Sequence, residues 1–144
     1  METTAVGKVV VAATIENETD RTAVKLGVLR GEQVRRVQVE DAVVDTGATM
    51  FSLPARIIRQ LGLERVRIRR ARTATGIAEF GVYSLVHLVV QGRECILEVS
   101  EIPDACPVLI GRLPLKHMDW VVDPIRQRLI GNPDHGGEEM IDMF

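Results

Sequence analysis

The chain has 144 residues, 46% of them hydrophobic and 26% charged, with a net charge of −2, the balance of one globular domain rather than of a disordered segment. Aromatic residues are only 3%, which leaves the core to Val, Ile, Leu and Ala and speaks against the stacking platforms of single-stranded nucleic-acid binders. The near-neutral charge gives no basic field for nucleic acid or a membrane surface.

A domain of this length buries roughly 70% of the surface its unfolded chain exposes. The opening "METTAVGKVVVAATIENETD" lacks a basic leader region, and its apolar run is too short to span a bilayer, so a soluble, cytoplasmic protein is expected. Cys95 and Cys106 have no metal-ligand spacing and read as free thiols. No metal and no organic cofactor is expected.

In chain order, "KVVVAATIEN" is β-branched and predicts a strand, with "TAVKLGVLRG" as its partner after a polar turn around Asn17 to Arg21. "QVRRVQVEDAVVD" alternates and then becomes continuously apolar, as a strand does on passing from the surface into a core. A short helix through "LPARIIRQLGL" follows, with Ser52 as its cap, Pro54 in its first turn and Gly62 as its stop.

The stretch from Arg65 to Ser100 predicts a long hairpin with its tip near Thr75-Gly76 and a second turn at Gln91-Gly92. Its arginines, Arg65, Arg67, Arg69, Arg70 and Arg72, read as a solvated strand face or as a rim favouring acidic substrate residues. "RLPLKHM" predicts a second helix, and "DWVVDPIRQRLIG" a last hairpin turning at Asp123-Pro124. Residues 1–133 are expected to form the domain and 134–144 a polar tail, disordered or docked on a partner. His87 and His117 sit in apolar neighbourhoods and read as structural, as does Trp120, while His135 suggests nothing. The fold class is mostly β.

Chemistry concentrates in "DAVVDTGATMFSLP", residues 41–54. The apolar run delivers Asp45 to the edge of a core, where ionisation is costly. Gly47 lets the backbone turn and opens its N–H toward the carboxylate, and Thr46 adds a hydroxyl. A second carboxylate within hydrogen-bond distance would share one proton with the first. Such a pair can deprotonate water and protonate a carbonyl, which is acid–base hydrolysis of an amide. A given tripeptide occurs by chance in roughly 2% of chains this long, so its surroundings must carry the assignment.

Those surroundings are Leu53-Pro54, the central hairpin, and "PVLIGRLPL" at 107–115 opening a helix. With Asp45-Thr46-Gly47-Ala48, in this order and spacing, the chain resembles the retropepsin-like aspartic proteases from about Val6 to Pro133. The resemblance implies a single-domain closed β-barrel or sandwich with a flap hairpin and one or two short helices. It implies that Asp45 is catalytic, that Thr46 links two active-site loops, and that Gly47 braces them. Ala48, Gly76, Ile77 and Phe80 would contact substrate, with the flap covering an extended peptide. Ile110, Gly111 and Arg112 would support the catalytic loop.

The sequence departs from the pattern at Thr49, where many retroviral members carry an Asp that pairs with the Arg after the later Gly. Arg112 is therefore expected to find another carboxylate. No other Asp precedes Thr-Gly or Ser-Gly, so one chain offers half a dyad and the expected enzyme is a homodimeric aspartic endopeptidase acting on peptides. The N-terminal strand "VGKVVVAAT" and the C-terminal segment are the expected interface elements. Ala48 withholds a hydroxyl from the charged dyad, so activity is expected to peak at weakly acid to neutral pH. The alternative is a catalytically silent dimerisation or peptide-binding module of the same fold. A phosphoaspartyl enzyme would need further metal-binding carboxylates that the chain does not offer.

Overall fold

Alternation builds the first strand, β1 (Val9–Asn17): Val9, Val11, Ala13 and Ile15 are buried, while Val10 and Ala12 face outward, the period of a half-buried strand. The structure, a computed structural model, describes residues 8 to 144. Residues 6 and 7 of the expected interface strand lie outside the described residues.

The expected second strand at 22–31 is instead helix α1 (Glu18–Lys25) followed by a turn. Asn17 decides this: its side-chain oxygen accepts the Asp20 N–H at 3.0 Å, and Glu18 and Asp20 put negative charge in the first turn. Asp20 is then locked by Arg35, whose guanidinium donates to both carboxylate oxygens at 2.9 Å. These bonds hold the Asp20 carboxyl below its ordinary range. What read as a turn is a helix cap.

The partner of β1 is β2 (Arg36–Val44), antiparallel from Val9–Val44 to Glu16–Arg36. Strand β2 enters the core at its end, where Ala42 and Val44 are buried. Its neighbour on the other side is β7 (Leu109–Ile110), parallel, and β7 pairs with β3 (Phe51–Pro54). Strand β3 pairs in parallel with β6 (Arg93–Ile102), which pairs antiparallel with β5 (Gly76–Val90). Strand β5 returns to β1 through Thr14–Val89 to Asn17–Val86. The ring β1-β2-β7-β3-β6-β5 is thereby closed, which removes the sheet edges that an open β-domain must protect. The core filling it is Val, Ile and Leu with Phe51 and Met118.

Strand β4 (Arg65–Thr73) stands outside the ring, paired to β5 alone as the expected hairpin. The turn at Gln91-Gly92 also lies as expected, both residues at positive φ (50° and 86°), as a two-residue hairpin turn requires.

Helix α2 (Ala55–Gln60) begins after Ser52, which does not cap it. Ser52 lies inside β3, buried, with its hydroxyl 2.6 Å from that of Ser100. Helix α3 (Arg112–Met118) has Pro114 in its first turn and ends at Asp119, in the left-handed conformation at φ 58°. Strands β8 (Trp120–Asp123) and β9 (Arg128–Gly131) form the last hairpin. No helix among the described residues is long and apolar enough to cross a membrane. Cys95 and Cys106 are free thiols, and burial pushes the Cys95 thiol up to about 12.

Candidate active site

Topology places the site. Strands β2 and β3 both border β7, so the loop joining them, residues 45–50, must cross the C-terminal end of β7. Four backbone bonds seat it there. Asp45 donates to the Ile110 carbonyl at 3.0 Å, Gly111 to Met50 at 3.1 Å, Arg112 to Ala48 at 2.9 Å and Leu113 to Thr49 at 2.9 Å.

Gly111 is required by that crossing: a Cβ would stand 2.5 Å from the Met50 carbonyl oxygen and 2.7 Å from that of Ala48. Ile110, fully buried one residue earlier, anchors the crossing in the core.

Within the loop the Gly47 N–H donates to Asp45 Oδ1 at 2.9 Å, and Ala48 N–H to the Asp45 carbonyl at 3.1 Å. Only one oxygen of this carboxylate accepts a hydrogen bond from a described residue. Asp45 is half-buried, Thr46 and Gly47 are exposed, and Ala48 is half-buried, so this end of the barrel is an open face rather than an enclosed pocket.

Arg112 does not turn to another carboxylate. Its guanidinium donates to the Thr49 hydroxyl at 3.0 Å, with a longer 3.5 Å contact to the Thr46 carbonyl. The departure at Thr49 is thus absorbed in place, since a hydroxyl can accept one of the guanidinium bonds that a carboxylate would accept.

The flap places the remaining residues differently. Gly76 follows the tip at φ 128°, with the Thr73 hydroxyl donating to its carbonyl at 2.8 Å. Phe80 pairs with Arg69 on the face that carries buried Val82, whereas Ile77 pairs with Arg72 on the opposite face. Cross-strand partners share a face and neighbours alternate, so Phe80 looks toward the barrel and Ile77, 67% exposed, looks away.

Of the residues read as structural, His87 is buried with Nε2 2.5 Å from Glu94, and Trp120 donates to the Val90 carbonyl at 3.1 Å. His117 is corrected: it is exposed and borders a groove with Leu113, Met50 and Arg69. His135, which suggests nothing in the sequence, has its ring 2.7 Å from Asp119 and 3.2 Å from Asp142. Among the described residues no group of three or more His, Cys, Asp or Glu is disposed to hold a metal ion.

A closed barrel whose ring strands present an Asp-Thr-Gly loop over an apolar-Gly-Arg crossing, with one hairpin standing clear, defines the retropepsin-like class of aspartic protease. Residues 31–117 match the family described as "gag-polyprotein putative aspartyl protease", and the chain belongs to that family. None of the curated proteins matches the chain.

Proposed function

We propose that the protein is a homodimeric aspartic endopeptidase in which Asp45 of each protomer supplies half of the catalytic dyad. The observation that carries this reading is the Asp45 loop, with one carboxylate oxygen held by the Gly47 N–H and the loop itself on an exposed face. A second copy brought to that face by a two-fold axis sets two carboxylates side by side. Together they hold one proton.

The ionised carboxylate takes a proton from water as the water oxygen attacks the scissile carbonyl. The protonated one donates to the carbonyl oxygen, giving a tetrahedral diol. Collapse of the diol breaks the C–N bond, and a proton returned from the dyad lets the amine leave. The hairpin of β4 and β5 covers the extended peptide during these steps.

Peptide-library cleavage read by mass spectrometry, at a concentration where the chain is dimeric, tests this. Wild type is expected to cut, with a maximum at weakly acid to neutral pH, and Asp45→Asn to lose roughly 10³-fold or more. Equal cutting by Asp45→Asn, or no cutting by a wild type shown to be dimeric, overturns the reading. The latter outcome favours a peptide-binding module of the same fold.

A further inference from the structure

A groove opens beside the catalytic loop, between α3, β6 and the flap. Thr49 and Met50 come from the loop, Leu113 and His117 from α3, Leu97 from β6 and Arg69 from β4. Met50, Leu97 and Leu113 give it an apolar wall. Arg69 reaches it because it lies opposite Phe80, on the flap face that continues into buried Val82.

The charges around this groove do not cancel. The carboxylate on it is Glu98, and Glu98 is already engaged by the Arg67 guanidinium through both oxygens, one of them at 2.9 Å. Arg70 and Arg72 share the opposite flap face with Glu79 and Ile77. Arg69 makes no ion pair with any described residue, and His117 adds no negative charge. An apolar wall thus ends in one guanidinium whose charge nothing on the groove offsets.

Building on the protease reading, we propose that this groove is a substrate subsite for an acidic side chain and that Arg69 is its specificity-determining residue. A glutamate fits the chemistry: its methylenes lie along Met50, Leu97 and Leu113, and its carboxylate meets the guanidinium through two parallel hydrogen bonds. Water leaves as the peptide settles beneath the flap, so the pair then acts in a lower dielectric than the exposed arginine does alone.

The test uses matched peptides carrying Glu, Gln or Lys at each position around the cleaved bond, with wild type, Arg69→Lys and Arg69→Glu dimers. At one position kcat/KM is expected to favour Glu over Gln by about tenfold. Arg69→Lys should keep the order, and Arg69→Glu should invert it toward Lys, which loss of a merely structural arginine would not do. Cleavage with no Glu preference at any position, or a preference that Arg69→Glu leaves intact, overturns the subsite while the protease reading stands. If the wild-type dimer cuts nothing, the protease reading falls. The same peptides are then titrated against the Asp45→Asn dimer by fluorescence anisotropy. Tighter binding of Glu than Lys, reversed by Arg69→Glu, supports the subsite; equal binding overturns it.

Discussion

The Asp45 loop and the flap are built on opposite plans. The loop crosses β7 with four backbone bonds and two from Arg112, directly over buried Ile110 and beside buried Phe51. The flap beyond Val82 is exposed along nearly its whole length, held by its own β4–β5 ladder and by Arg67 on Glu98. On the proposed protease reading the loop must hold a reacting carboxylate within a fraction of an ångström, which needs the first plan. A cover that must admit a polypeptide and then close needs the second, because segments that open are drawn from those with few buried contacts.

The hardest blow to this contrast is Gly111→Ala. The added Cβ meets two carbonyl oxygens at 2.5 and 2.7 Å, and neither belongs to a side chain that can swing aside. A destabilisation of about 3 kcal/mol or more is expected, read as a lowered midpoint in urea. A loss below about 1 kcal/mol would mean that the loop yields as readily as the flap.

Gly76→Ala attacks the other region. The backbone at φ 128° suits glycine, and no atom lies within 4 Å of the new Cβ, so the cost is strain alone, roughly 1–2 kcal/mol. The flap can relieve that strain by opening locally, so the melting temperature should move less than the strain implies. The peptide KM should rise instead. Hydrogen exchange sharpens the same point. The amides of Asp45, Gly111 and Arg112, bonded across the crossing, are expected to exchange only on global unfolding, and those of Arg69 to Phe80 well before it. Equal protection in the two regions would erase the distinction.

How much of this was legible in the sequence follows from how local each determinant is. The loop was legible because an apolar run, a triplet and a later Gly-Arg sit in fixed order. The hairpin turns were legible through Thr75-Gly76 and Gln91-Gly92. Helix α1 was not, because β-branched Thr22 and Val24 suggest a strand. The deciding cap at Asn17 is held by Asp20 and Arg35, 15 residues apart. Ser52 misled for a similar reason, its partner Ser100 being 48 residues away. Five arginines in β4 look alike in sequence. Only register and pairing separate Arg69, on the groove, from Arg67, on Glu98, and from the outward pair Arg70 and Arg72.

Thr49→Asp probes how much rigidity the loop gains from Arg112. The guanidinium already stands 3.0 Å from the Thr49 hydroxyl, so a carboxylate there should replace a neutral acceptor with a charged one. The site is exposed, which limits the gain to about 1 kcal/mol or less, shrinking with added salt. A gain that ignores salt would show that the loop was repacked rather than better paired.

The smallest expected effect lies away from both regions, in the segment after β9, and depends on pH. Asp119 accepts from His135 at 2.7 Å, from the Met140 N–H at 3.2 Å and from Asn132 at 3.3 Å, while Arg93 donates to the Gly137 carbonyl at 2.8 Å and lies over Trp120. The hydrogen bond to Asp119, then that to Asp142, holds His135 above its ordinary value of 6.5. The bond from His135, then those from Met140 and Asn132, holds the Asp119 carboxyl below 3.8. A raised histidine means that the folded chain binds more proton than the unfolded one, so its contribution is complete below 6.5 and is lost as pH rises through the folded value. The lowered Asp119 contributes above 3.8 and loses that contribution as pH falls. The ion pair is therefore fullest from about pH 4 to 6.5. The melting temperature of His135→Asn should trail wild type most at about pH 5.5 and least at about pH 9. A gap that widens with pH would mean that neutral His135, not the ion pair, fastens this segment.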